Sequence, residues 1–158
     1  MNSVQKCEDL FNSLVSAIDA VYGSSMKTNI ELIDIGAQIF PQLGHNVIRN
    51  AGYDFEKMKG KYSIVNTDNG VGVHWFGVYQ KGRVLHMFDT FDRSSMRLVP
   101  QFVKRATLAG FKIQDTHDKN HKREQRDEQE DCGIRSLAWL ILVYHKGIAF
   151  ASLIETLT

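Results

Sequence analysis

The stretch EDCGIRSLAWLILVYH, residues 130–145, sets Cys132 directly behind two carboxylates and ahead of an almost wholly apolar run. Two chemistries fit a cysteine there. A buried thiol at a helix start can serve as a small hydrophobe, as free cysteines often do. Alternatively, the positive end of a helix favours the thiolate, and a neighbouring imidazolium favours it further, which makes a nucleophile. The second chemistry needs a base, and VHWFGVYQKGRVLHMFDT, residues 73–90, offers one. If Lys81 and Gly82 form the turn of a β-hairpin, Gln80 opposes Arg83, Val78 opposes Leu85, Phe76 opposes Met87 and His74 opposes Asp89. Opposed side chains share one face with Cβ atoms about 4.5–5.5 Å apart. A slip of one residue would send one partner to the other face. Asp92 would lie opposite Val71 or beyond the sheet and is the weaker acid candidate.

Each residue also has a plainer explanation. His74 alone reads as a satisfied sheet histidine, and Asp89 alone as a strand-end acid. Together they form a base with its orienter. His74 would take a proton from the thiol and return it to a leaving amine, and Asp89 would fix the ring tautomer and stabilise its charged form. The Cys132 N–H, at a helix start, is available to an oxyanion, and Gly133 leaves room beside it.

The elements that must position these groups follow from pattern. Leu10, Phe11, Leu14, Val15, Ile18 and Val21 recur at helical spacing, with Gly23 as a stop. A second helix is expected over 28–40, ending at Pro41, and residues 42–60 read as irregular. KYSIVNT, VHWFGVYQ and RVLHMFDT are short β-branched and aromatic runs separated by glycine-bearing turns. Residues 94–109 read as helix with Pro100 weakening the pattern, and FKIQ, residues 111–114, as a strand. Residues 115–131 contain no aliphatic or aromatic side chain and read as a solvated loop. A helix from Cys132 to about His145 and a short last helix close the chain. The order predicts an α+β fold, a small, mainly antiparallel sheet packed against helices, in one domain over residues 1–158. The apolar face formed by Phe76, Val78, Leu85 and Met87 is expected to pack on the helix that begins at Cys132.

Composition narrows the classes. The chain has 158 residues, a formal net charge of +1 and two cysteines. That length suffices for a core of its own, and the charge balance demands neither nucleic acid nor an acidic membrane. Two cysteines make no disulfide framework, so a reducing compartment is the default. Residues 1–22 carry charges throughout, and no signal peptide is visible; the longest apolar run, Leu137 to Tyr144, is too short to span a bilayer.

The sequence resembles the adenovirus protease (adenain) family and the wider clan that includes the ubiquitin-like-protein (SUMO) proteases. The matching pieces are SIVNT at 63–67, GVHW at 72–75, MFDTF at 87–91, RSSMRL at 93–98 and a glutamine upstream of DCG at 131–133. They stand in the family's order of His, acid, Gln and Cys, from about residue 61 to 146. GVHW with VNT points toward the viral branch, while the first sixty residues show no motif. The resemblance implies an adenain-like fold with a central buried helix starting at the nucleophile. It implies Cys132 as nucleophile, His74 as base and Asp89 as orienter, where adenain has glutamate. The family's oxyanion-hole glutamine lies six or seven positions before the cysteine. Gln125, seven back, fits, and Gln129, three back, competes. Trp75 would line the narrow slot that admits glycine-containing cleavage sites, with Gly133 beside it.

The activity so implied is a viral maturation protease that cuts capsid or core precursors at Gly-Gly or Gly-X sites. It would need no metal or organic cofactor and work as a monomer in the virion or infected-cell cytoplasm or nucleus, neither secreted nor membrane-bound. Activation by DNA or a short viral peptide is a family property. Lys119, Lys122, Arg123 and Arg126 could serve nucleic acid, but interleaved acids read more simply as a balanced, solvated loop. Cys7, at a helix start, could take a disulfide from a peptide activator, although an incidental thiol is the simpler reading. Two other readings are a deconjugase for ubiquitin-like modifiers, whose domains are generally larger, and a zinc module built from Cys7, His117, His121, Cys132 or His145. The zinc reading is weak because no Cys pair has ligand spacing.

Overall fold

A computed structural model describes residues 2–67, 74–89, 95–116 and 131–154. Two helices open the chain. Helix α1 (Ser3–Tyr22) is capped by the Asn2 side chain, which accepts from the Gln5 N–H at 2.8 Å. It stops where Gly23 takes φ +83° and returns its N–H to the Asp19 carbonyl. Helix α2 (Asn29–Ile39) begins with a reciprocal cap, Thr28 Oγ1 accepting from the Glu31 N–H and the Glu31 carboxylate accepting from the Thr28 N–H. Pro41 ends it, as the sequence predicts.

Strands β1 (Val47–Ile48), β2 (Tyr62–Asn66), β3 (Trp75–Lys81) and β4 (Val84–Phe88) follow, with β5 (Lys112–Asp115) after helices α3 (Ser95–Leu98) and α4 (Pro100–Leu108). The expected single helix over 94–109 is therefore two, because Pro100 lacks the N–H that would continue α3 and instead opens α4. Helices α5 (Cys132–Lys146) and α6 (Ile148–Ala151) complete the described chain. None of the described helices is long and apolar enough to cross a membrane.

The protein is α+β, with five strands in the order β1-β2-β3-β4-β5. The sheet is mixed rather than mainly antiparallel: β2, β3 and β4 alternate in direction, but β1 runs parallel to β2 and β5 parallel to β4. Both parallel pairings involve short edge strands: β5, which overlaps the strand expected at 111–114, and β1, only two residues inside the stretch 42–60 read as irregular.

The hairpin register also differs from the expected one. Lys81 pairs with Val84, so the loop is Gly82–Arg83 and the rungs are Val78–Met87 and Gly77–Phe88. A two-residue loop needs positive φ at its first position. Gly82 supplies it at φ +59°, whereas a Lys81–Gly82 loop would force that conformation on a lysine. Continuing this register puts Asp89 level with Phe76 and diagonal to His74. Both residues lie just beyond the paired strands, where their side chains are joined by a hydrogen bond.

The sheet is covered on both sides. Phe76, Val78, Leu85 and Met87 pack with Val99, Phe102, Val103 and Ala106, on the α4 side and not on α5 as expected. Helix α5 lies on the opposite face, buried continuously from Cys132 to Val143 among α1, α2, α6 and the sheet. Its Trp139 ring stacks on Phe88 with centroids 5.2 Å apart. The ring can come that close to β3 because Gly77 has no side chain; a Cβ there would lie 3.1 Å from Trp139 Cε3. Alternation alone misleads here because both faces of the sheet are apolar, and the glycine that admits the helix is silent in a hydrophobic pattern.

Candidate active site

Three elements end at one place. His74 immediately precedes β3, Asp89 immediately follows β4, and Cys132 is the first residue of α5. Their exposures are 9%, 7% and 3%. His74 Nε2 and Asp89 Oδ1 are hydrogen-bonded. The imidazole also has the Cys132 side chain as a hydrogen-bond partner. With Nε2 turned to the acid, Nδ1 is the nitrogen left for sulfur.

Electrostatics follow from that placement. Burial pulls the His74 pKa down, but the hydrogen bonds and negative charges of Asp89 and Cys132 outweigh it, and the net shift is upward. The site thus favours an imidazolium between the Asp89 carboxylate and the Cys132 sulfur. The Trp75 N–H, 3.3 Å from Cys132 Sγ, adds a donor to the sulfur. Neither cysteine forms a disulfide.

The helix start is held from several sides. Ser136 Oγ donates to the Trp75 carbonyl at 3.3 Å, tying α5 to β3. Trp75 is buried, and its indole N–H donates to the Lys27 carbonyl at 2.9 Å, which fastens the segment before α2 to the site. Gly133 is buried too, and the space its missing side chain leaves is filled by Leu32 and Trp75; a Cβ would meet Leu32 Cδ2 at 3.0 Å. Close approach of protein, rather than open room, is what Gly133 provides. Asp131 makes no side-chain cap on α5 and instead binds Arg135 Nε at 2.8 Å.

The remaining sequence candidates divide. Gln125, Gln129, Asp92, His117, His121 and the basic residues Lys119, Lys122, Arg123 and Arg126 lie outside the described residues. Cys7 is fully buried in α1, so a disulfide to another chain would require that helix to open. Cys132 and His145 sit at opposite ends of α5, roughly 20 Å apart at the rise of an α-helix, and cannot share a metal ion. Among the described residues no group of three His, Cys, Asp or Glu side chains could hold one.

Sequence reasoning missed the charged residues beside Cys132: Asp19, Lys27, Asp131 and Arg135. The Asp131–Arg135 spacing is a readable helical ion pair. Nothing local announces Asp19, which reaches the site because α1 docks on α5, or Lys27, whose segment before α2 is fastened there by Trp75. Comparison of the chain with protein-family models, with curated proteins and with solved structures found no match in any of the three.

Proposed function

We propose that the protein is a cysteine endopeptidase of the adenain-like kind, acting through Cys132, His74 and Asp89. The observation that carries this reading is the meeting of sulfur, imidazole and carboxylate at the buried first turn of α5. The Cys132 thiolate attacks the scissile carbonyl carbon. The oxyanion forms beside the Cys132 N–H at the helix N-terminus, with Gln125 as the proposed side-chain donor. The tetrahedral intermediate collapses to a thioester as the His74 imidazolium protonates the departing amine. His74, now neutral, takes a proton from water, which cleaves the thioester to the carboxylic acid and restores the thiolate–imidazolium pair. Asp89 holds the ring in one tautomer throughout and stabilises its charged form. No step requires a metal or organic cofactor.

The motif resemblance extends the proposal to the substrate: viral capsid or core precursors cut at glycine-containing sites. Incubation with Gly-Gly and Gly-X peptides, followed by mass spectrometry for the cut position and for a thioester adduct, tests both parts. Cys132→Ala should abolish cleavage and adduct while leaving the melting temperature close to the parent. Cleavage retained in that variant would remove Cys132 from the chemistry.

A further inference from the structure

Asp131 stands directly before Cys132, yet its carboxylate bonds to no amide of α5. It is buried and paired with Arg135 on one side. On the other it meets the carboxyl group of Asp19, near the C-terminal end of α1. Asp19 Oδ1 is buried, and no N–H or O–H donor of the described residues reaches it. The nearby Lys27 ammonium is engaged elsewhere, held by the Gly23 and Ser25 carbonyls at 3.0 and 2.8 Å and by Ser25 Oγ at 3.2 Å. Two ionised carboxylates in hydrogen-bond contact are both acceptors and repel; a proton on one turns the contact into a bond and supplies the donor that Asp19 lacks.

We propose that Asp19 and Asp131 share one proton, and that Asp19 is a positioning residue for Cys132, holding the first turn of α5 while protonated and loosening it when ionised. The inference rests on Cys132 being the nucleophile of the reaction proposed above.

The surroundings agree in sign. Burial first, then the hydrogen bond and charge of Asp131, push the Asp19 carboxyl up to about 7, against the opposing pull of Arg135 and Lys27. Helix α5 contributes Asp131 and Arg135, and the segment before α2 contributes Lys27; α6, also packed on α1, has no ionisable side chain. With the proton present, the four side chains carry one net positive charge beside the cysteine. Without it they cancel, so ionisation both adds repulsion under the helix start and removes charge that favours a thiolate. The folded protein also keeps a proton that the unfolded chain releases from about pH 4 upward, so stability from this pair is greatest at low pH and falls as pH rises toward the folded value.

The test uses the full chain, with Asp19→Asn as an uncharged hydrogen-bonding substitute and Asp19→Glu as the conservative control. Alkylation of Cys132 by iodoacetamide, located by peptide mass mapping, is followed across pH with thermal melts of the same samples. The rate ratio of Asp19→Asn to wild type should be near one at about pH 5.5 and about threefold at about pH 8, with Asp19→Glu following wild type. A ratio independent of pH overturns the proposal. Should Asp19→Asn fail to fold, carbon-13 titration of the wild-type carboxyls decides: one midpoint near 7 supports the shared proton, and all midpoints below about 5 overturn it. Peptide cleavage is scored separately, so a wild type that cuts nothing removes the protease reading while the alkylation ratio still judges the carboxyl pair.

Discussion

On the α4 side of the sheet, Phe76, Val78, Leu85 and Met87 meet Val99, Phe102, Val103 and Ala106, with edge-to-face contacts of Phe102 to Phe55 and Phe76. The α5 side is also buried, but the helix that provides its packing carries Cys132, Asp131, Arg135 and Ser136 into the interior, each with a side-chain hydrogen bond. The first region can change shape and lose only stability. The second couples the position of a core helix to the distance between a sulfur and an imidazole. Burial therefore does not separate plain packing from the candidate site; what separates them is whether the buried groups include charges that only the fold brings together.

The sharpest way to break this contrast is to cut one side chain on each side. His74→Ala should lower the cleavage rate by on the order of 10²–10⁴-fold while the fold persists. Phe102→Ala should do the reverse, costing about 3–5 kcal/mol in denaturant titration while each remaining folded molecule cleaves at the parental rate. Loss of chemistry in Phe102→Ala under fully folded conditions would mean that the two sides are mechanically coupled.

Gly77→Ala probes the coupling on the α5 side. The new Cβ would press on Trp139 Cε3 at 3.1 Å and the Ser136 carbonyl at 3.5 Å, so α5 must yield. The cost in stability should be about 1–3 kcal/mol, with a loss of Cys132 alkylation that Phe102→Ala does not show. Equal alkylation in the two variants would uncouple helix placement from thiol reactivity.

The smallest effect is one of pH. His74 is held above the ordinary histidine value because Asp89 and Cys132 more than offset burial, so its protonated form stabilises the fold. That contribution is complete below about 6.5, the unfolded value, and is lost as pH rises through the higher folded value. The melting-temperature advantage of wild type over His74→Gln should shrink across that interval, and a constant difference would argue against a charged ring.

Several features were legible in residue types alone. The α1 stop at Gly23, the second helix ending at Pro41 and the apolar run after Cys132 are local, set by backbone conformation or by residue pattern over a few positions. The nearness of His74 and Asp89 survives the change of register because the two flank one hairpin, just before β3 and just after β4. Gly82 itself marks the first position of the turn, because a two-residue loop needs positive φ there.

The sequence by itself thus determined most of the elements, the chemical character of the candidate groups and the end of the hairpin that two of them share, since these depend on periodicity and torsional preference. Only tertiary structure decided which face of the sheet receives α5, which end of that helix meets the histidine, and that Asp19 of the first helix lies against the residue before the cysteine. Those depend on side chains fitting across elements far apart in the chain, as Trp139 fits over Gly77, and such complementarity leaves no period in the sequence.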